Sequence, residues 1–237
     1  SASTINGNID LGSGVDSINF SAASSPSSDS FTTHGTISSD HINVTSGILN
    51  VGHQITSSMI TVADMNEFSS AINFTESVTH DIGDFYVNKA GSVTIAAAKS
   101  VDLGSSSYLY IDDGAKLQFG ISGGSFGHLT ADTLEFVNNS LSTGGKLTID
   151  AALIGSVNSG SLINIFQGNS LIGAEDGQEL SDNSSLYTFT QRVNGNNIDI
   201  EVTKDSDGGN FVGADSSIKS SVGAALDEIF VNGGGDS

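Results

Sequence analysis

The sequence predicts an all-β chain wound as a right-handed parallel β-helix, with a C-terminal β-hairpin as a cap and a short terminal α-helix beyond it. Three observations lead there. Apolar–polar alternation of period two recurs roughly every 7 to 12 residues over most of the chain. The individual runs are only three to six residues long and are bounded by Gly, Asn, Asp or Ser, too short for a flat isolated sheet. Helix formers are scarce among 40 serines and 29 glycines, and there is one proline, Pro26. A sandwich or barrel also repeats short strands. The solenoid is favoured because the runs stay short and because Asn, Ser and Thr at strand positions can form ladders between stacked coils. Three strands per coil imply coils of roughly 20 to 25 residues, stacked about 4.8 Å apart.

The elements follow in order. The first coil is read from Ile5–Leu11 and Val15–Phe20. The Ser-rich stretch 21–30 is read as a projecting loop. Further alternating runs include Ile42–Val44, Ile48–Val51, Ile60–Val62, Ala71–Phe74, Phe85–Val87, Val93–Ile95 and Val101–Leu103. Leu109–Ile111, Lys116–Phe119, Leu134–Phe136, Lys146–Ile149 and Leu162–Phe166 continue the series. A stem over 1–185 is therefore expected. Residues 186–204 hold two alternating strands around Asn194-Gly195, the strongest short-range hairpin signal in the chain. Tyr187 and Phe189 belong to this folding and capping unit, which would cover the exposed end of a parallel stack. Residues 205–237 read as an acidic loop and a linker helix. Ile218, Val222, Ala225 or Leu226, and Ile229 share one helical face, Asp215 or Ser216 can cap its start, and Gly233–Gly235 stops it.

Composition narrows the function. Seven Lys+Arg against 27 Asp+Glu give a formal net charge of −20, which excludes nucleic-acid binding through a basic surface. The absence of cysteine excludes disulfides, thiolate metal sites and cysteine nucleophiles. No apolar run is long enough for a membrane-spanning helix. Acidity, small polar residues and no cysteine together suggest a bacterial extracellular protein. The chain opens at Ser1 without a basic and apolar leader, so either a removed signal peptide or an internal fragment is expected.

The chemistry-bearing residues give few candidates. Leu11–Asn19 nearly matches the glycine-rich nonapeptide that binds Ca²⁺ in stacked repeats, with Asp16 as the ligand position. It occurs once, whereas such a site draws ligands from neighbouring coils, so a plain coil turn is the competing reading. Asp112, Asp113, Asp205 and Asp207 are weaker Ca²⁺ candidates, because their loops lack the full ligand spacing with a terminal bidentate Glu. No other cofactor is expected. His34, His41, His53, His80 and His128 form no helical metal-binding pair and read as surface or turn residues. No nucleophile elbow or phosphate loop occurs, so no catalytic residue is assigned. Tyr108 and Tyr110 lie on one face of one strand. They are read either as a sugar-stacking or adhesive surface pair or as aromatics stacked between coils.

Four segments, taken in order, resemble the passenger domain of bacterial autotransporters, the type V secretion family. GNIDLGSGVDSINF (7–20) is similar to a glycine-rich coil motif of passengers, and SSSYLYIDDGAKLQFGISGG (105–124) to their C-terminal coils. GGKLTIDAALIGSVNSGSLINIFQG (144–168) with SLYTFTQRVNGNNIDIEVT (185–203) looks like the end of a passenger stem, where an autochaperone region sits. SSIKSSVGAALDEIFVNGGGD (216–236) resembles the helical link to a membrane barrel. The resemblance implies a non-enzymatic protein secreted from, or held on the surface of, a Gram-negative bacterium. It implies an adhesin or cell-aggregation stem whose partners are a host or bacterial surface molecule, another copy of itself, or its own membrane barrel. A self-assembling surface-layer or fibre subunit and a β-helix polysaccharide-degrading enzyme are the competing expectations.

Overall fold

The computed structural model describes residues 2–21, 29–63, 69–122, 124–137, 146–153, 160–182, 184 and 187–204. Among these residues every regular element is a β-strand and there is no helix. The strands form two nine-stranded sheets and one six-stranded sheet. In the first sheet Ala2–Ile5, Ser30–Thr33, Gly47–Val51, Ser70–Phe74, Gly91–Ile95, Lys116–Ser122, Lys146–Leu153 and Ser181–Asp182 lie side by side, every neighbouring pair parallel. Strands adjacent in the sheet are not adjacent in the chain. Between them the chain leaves for the other sheets and returns.

From Ser70 onward the circuit has three stations. Ser70–Phe74 lies in the first sheet, Val78–Thr79 in the third and Asp81–Val87 in the second. The next circuit repeats this order with Gly91–Ile95, Ser100–Asp102 and Tyr108–Ile111. This course is consistent with a β-helix or solenoid-like fold. Among the described residues the earlier circuits use two sheets only. Gly47–Val51 passes directly to the eight-residue strand Ile55–Val62, which pairs with both Ile37–Ser38 and His41–Val44. Circuit length also varies more than the repeat spacing suggests. Thr33 pairs with Val51 in a circuit shorter than expected, and Phe119 with Ile149 in a longer one.

Parallel register explains the core. It sets the same position of successive circuits one strand spacing apart, so an inward position must be apolar all along the stack. Leu49, Ile72, Val93, Leu117 and Leu147 form one such column in the first sheet. Ile42, Ile60, Phe85, Leu109 and Leu134 form another in the second. All are buried, and each contributes about 1.5–3 kcal/mol by leaving water. The intervening residues face out, where side-chain ladders form. Asn43 donates Nδ2 to Asn19 Oδ1 at 2.8 Å, Asn73 to Asn50 Oδ1 at 3.0 Å, and Asn50 to Thr32 Oγ1 at 3.3 Å.

Tyr187–Asn194 and Asn197–Lys204 form an antiparallel hairpin. Its second strand pairs antiparallel with Leu162–Gln167 at the end of the third sheet. Phe189, Ile198, Ile200 and Val202 are buried beneath it, and Phe189 meets Phe126 edge-on at 6.3 Å. Within the turn, the sequence places the corner at Asn194-Gly195. The structure moves it by one residue: Asn194 pairs with Asn197, so Gly195 and Asn196 are the two loop residues. Gly195 supplies the positive φ (62°) at the first loop position, as a type II′ turn requires. Asn196 then donates Nδ2 to the Asn169 carbonyl at 2.6 Å, tying the tip to the preceding circuit.

Two further expectations are corrected. Leu11 and Val15 stand at apolar positions of the first two alternating runs, yet they are 42% and 87% exposed. Gly12 and Gly14 between them take positive φ and turn the chain away from the core. Ser30, placed in the Ser-rich loop, begins the strand Ser30–Thr33 and pairs with Ala2 and Ile48. Residues 22–28 of that loop, the acidic loop from Asp205 and the terminal helix lie outside the described residues.

Candidate functional site

Three of the four tyrosines of the chain meet on the outer face of the second sheet. Register places them there. Tyr86 is opposite Tyr110, Tyr110 is opposite Glu135, and the neighbouring outward column carries Asp84, Tyr108 and Thr133. The inward residues between them, Phe85, Leu109 and Leu134, are fully buried and hold the strands rigidly in place. The Tyr86 and Tyr110 rings lie 5.7 Å apart at 61°, Tyr86 and Tyr108 6.2 Å apart at 71°, and Tyr108 and Tyr110 6.3 Å apart at 38°. These are edge-to-face and tilted contacts rather than a flat stack.

Carboxylates border the rings. Tyr108 donates its hydroxyl to Glu135 Oε2 at 2.6 Å, and Tyr86 reaches Asp84 Oδ2 at 3.4 Å. Burial, and then the Glu135 carboxylate, push the Tyr108 phenol far above its ordinary range. Tyr86 is raised by burial and Asp84, and Tyr110 by burial, Asp112 and Glu135. Such phenols stay protonated near neutrality, so the patch offers neutral aromatic surface rimmed with negative charge. The sequence singles out Tyr108 and Tyr110 but misses Tyr86. Superposing Phe85-Tyr86-Val87 on Leu109-Tyr110-Ile111 and Leu134-Glu135-Phe136 finds both Tyr86 and Glu135, because the three triplets occupy one position in successive circuits.

Open grooves lie beside and beyond the patch among the described residues. One, beside the patch, is lined by Thr56, Ser57, Ser58, Asp81, Gly83 and Asp84. Another, of about 330 Å³, sits at a corner with Asp102 and Asp132 in its wall. Both of its carboxylates are engaged: Asp102 Oδ1 accepts from the Gly104 N–H within its turn at 3.0 Å, and Asp132 Oδ1 from Asn169 Nδ2 of the next circuit at 2.7 Å.

The calcium candidates are dispersed. Asp16 lies in the first circuit, where its N–H donates to Asp40 Oδ2 at 3.1 Å and its carbonyl accepts from the His41 N–H. Asp112 and Asp113 form the turn after Tyr108–Ile111, separated from Asp16 by the circuits of His41, Met59 and Asp84. Asp112 closes that turn on itself, its Oδ1 accepting from the Asp113 N–H at 2.8 Å. Asp205 and Asp207 lie outside the described residues. Among the described residues no group of three or more His, Asp or Glu is placed to hold a metal ion.

The histidines are also separate. His34 and His53 are exposed, and His128 exchanges a hydrogen bond with Asn164 Oδ1 at 2.9 Å. His80 departs from the surface or turn reading, being only 3% exposed. Its Nδ1 accepts the Ile55 N–H at 3.0 Å, and its ring lies 4.9 Å from Phe74. Burial lowers its pKa to about 4 against the attraction of Asp102. In the hairpin, Arg192 Nε and Nη2 both reach Oε2 of Glu201, at 2.7 and 2.6 Å.

No family model matches the chain, and no curated protein matches it.

Proposed function

We propose that this chain is the stem of a bacterial autotransporter passenger, a right-handed parallel β-helix displayed outside a Gram-negative cell. Its role is attachment to a surface or to other cells, without catalysis. One observation supports this most directly: successive circuits return to the same parallel sheets, and an antiparallel hairpin pairs onto the end of one of them. That arrangement suits a stiff spacer which nucleates at its C-terminal side. The four resembling segments add the secretion route, and residues 205–237, which the sequence alone reads as an acidic loop and linker helix, would lead to a membrane barrel. Display of residues 1–237 on a non-adherent Gram-negative cell tests the reading. Gain of attachment or of cell–cell aggregation is expected. A folded, displayed chain that confers neither but depolymerises a polysaccharide would replace this reading with the enzymatic one.

A further inference from the structure

We infer that the tyrosine patch of Tyr86, Tyr108 and Tyr110 binds cationic side chains, and that its partner is a basic polypeptide segment presenting guanidinium or ammonium groups. This deepens the attachment reading above and rests on it only for the patch being displayed to a partner.

The outer ladders normally carry small polar side chains. On the first sheet they are Asn and Thr bonded to one another, as at Asn50 and Asn73. On the second sheet the column begins the same way, with Asn19, Asn43 and Thr61, and then changes to Tyr86, Tyr110 and Glu135. The exchange places two large rings on the outer face, and Tyr108 of the neighbouring column adds a third.

Ring geometry selects the ligand class. Stacking of a neutral sugar wants one broad, flat aromatic face. Here Tyr86 stands at 71° and 61° to its two neighbours, so the rings form a corner. Rings tilted in this way present separate faces instead of one plane, and each face carries the negative side of its quadrupole, to which a cation is drawn. The rim reinforces it: Asp84 and Glu135 are hydrogen-bonded to the phenols, and Asp112 lies close enough to raise the Tyr110 pKa. The charged groups acting on the three phenols are carboxylates. The adjoining groove extends the same chemistry with Asp81 and the hydroxyl-bearing Ser57 and Ser58, giving an extended chain room beyond the rings. A net charge of −20 steers positive partners toward the surface and repels anionic polysaccharides.

The test separates the patch from this general field. An oligo-arginine peptide, a peptide of equal length with Gln for Arg, and a neutral hexasaccharide are titrated into the whole chain. The protein variant Tyr86→Leu/Tyr110→Leu keeps every charge. The oligo-arginine peptide is expected to bind it about tenfold or more weakly than the unaltered protein. Equal binding would mean that the overall charge acts alone and would overturn the proposal. So would a hexasaccharide that binds in place of the peptide. If the variant does not fold, ring resonances of the unaltered protein decide. Tyr86, Tyr108 and Tyr110 must shift on peptide addition while Tyr187 does not; all four shifting together, or none, overturns the proposal. The cell-attachment assay is independent of these titrations, so the patch and the attachment reading can fail separately.

Discussion

The backbone N–H of Ile55 is bonded at 3.0 Å to Nδ1 of His80, one circuit further along the chain. The relationship arises where the third sheet begins. Val78–Thr79 is its first strand, and the preceding circuit turns from the first sheet straight into Ile55–Val62. The Ile55 N–H at that turn is served by the imidazole, as a buried donor must be served by some acceptor. Acceptance at Nδ1 requires the neutral ring.

Acidification should therefore weaken the fold through His80. Its folded pKa, about 4, lies below the ordinary 6.5. The contribution of the neutral ring is complete above about pH 6.5 and is lost as pH falls toward 4, at up to about 1.4 kcal/mol per pH unit. Protonation of surface carboxylates relieves repulsion over the lower part of the same window and acts in the opposite sense. The difference between the unaltered protein and His80→Gln removes that common term. In urea melts the advantage of the unaltered protein should shrink steadily from pH 7 to pH 4. A constant difference would show that the ring does not titrate in the fold.

Ala90 and Gly114 occupy the same place in successive circuits, three residues beyond the pair Val87 and Ile111. Both have positive φ, 68° and 81°. Alanine pays roughly 1 kcal/mol there and glycine does not. The looser unfolded chain of a glycine takes back about 0.5 kcal/mol. Ala90→Gly should thus stabilise by about 0.5 kcal/mol, and Gly114→Ala should destabilise by about 0.5 kcal/mol or more. The added Cβ of the latter has only ordinary contact, 3.4 Å from Lys89 Cγ, so the effect is conformational. Opposite shifts in urea midpoint with unchanged slope are the expected readout.

Gly83 has a different reason. A Cβ there would stand 2.5 Å from the Ser58 carbonyl oxygen, a backbone atom of the previous circuit that cannot move aside alone. The position lies in the middle of Asp81–Val87, next to the tyrosine patch. Gly83→Ala should cost about 1–3 kcal/mol. It should also disturb Tyr86 near-ultraviolet dichroism, whereas Gly114→Ala should leave that signal alone.

The strands were legible because parallel stacking imposes one simple rule on every circuit: apolar residues inward, polar ones outward. Phe85-Tyr86-Val87 and Leu109-Tyr110-Ile111 obey it, and their sequences alone reveal their faces. What the rule hides is which residues become neighbours, since register depends on loops of unequal length. Only the register that pairs Val87 with Ile111 makes Tyr86 the partner of Tyr110. His80 departs from its sequence reading for a related reason. A lone histidine between Thr79 and Asp81 looks solvated, and its burial follows from a backbone donor in a circuit 25 residues earlier. Leu11 and Val15 mislead the opposite way, because glycine turns override alternation.

The hairpin yields the last prediction. Parallel circuits must close loops of about 20 residues before any strand pairs, which makes their nucleation slow. Tyr187–Asn194 and Asn197–Lys204 close across two residues, and such hairpins form in microseconds. The hairpin edge is taken by Leu162–Gln167, whose other edge is taken by His128–Thr130. A folding order from hairpin to Leu162–Gln167 and on toward the N-terminus follows that chain of pairings, as in other stacks where each unit templates the next. Deleting residues 186–203 should slow refolding by about tenfold or more. Deleting residues 1–20, whose strands are mostly exposed, should mainly alter unfolding. Hydrogen exchange should protect the amides of Leu147, Ile149, Ile163 and Ile165 longest, together with Ile198 and Ile200 in the hairpin. Stop-flow refolding of the two deletions decides the matter. If the hairpin deletion refolds at the rate of the full chain, or the circuits before Ser70 are the most protected, folding starts elsewhere and the hairpin serves only to cover the end of the third sheet.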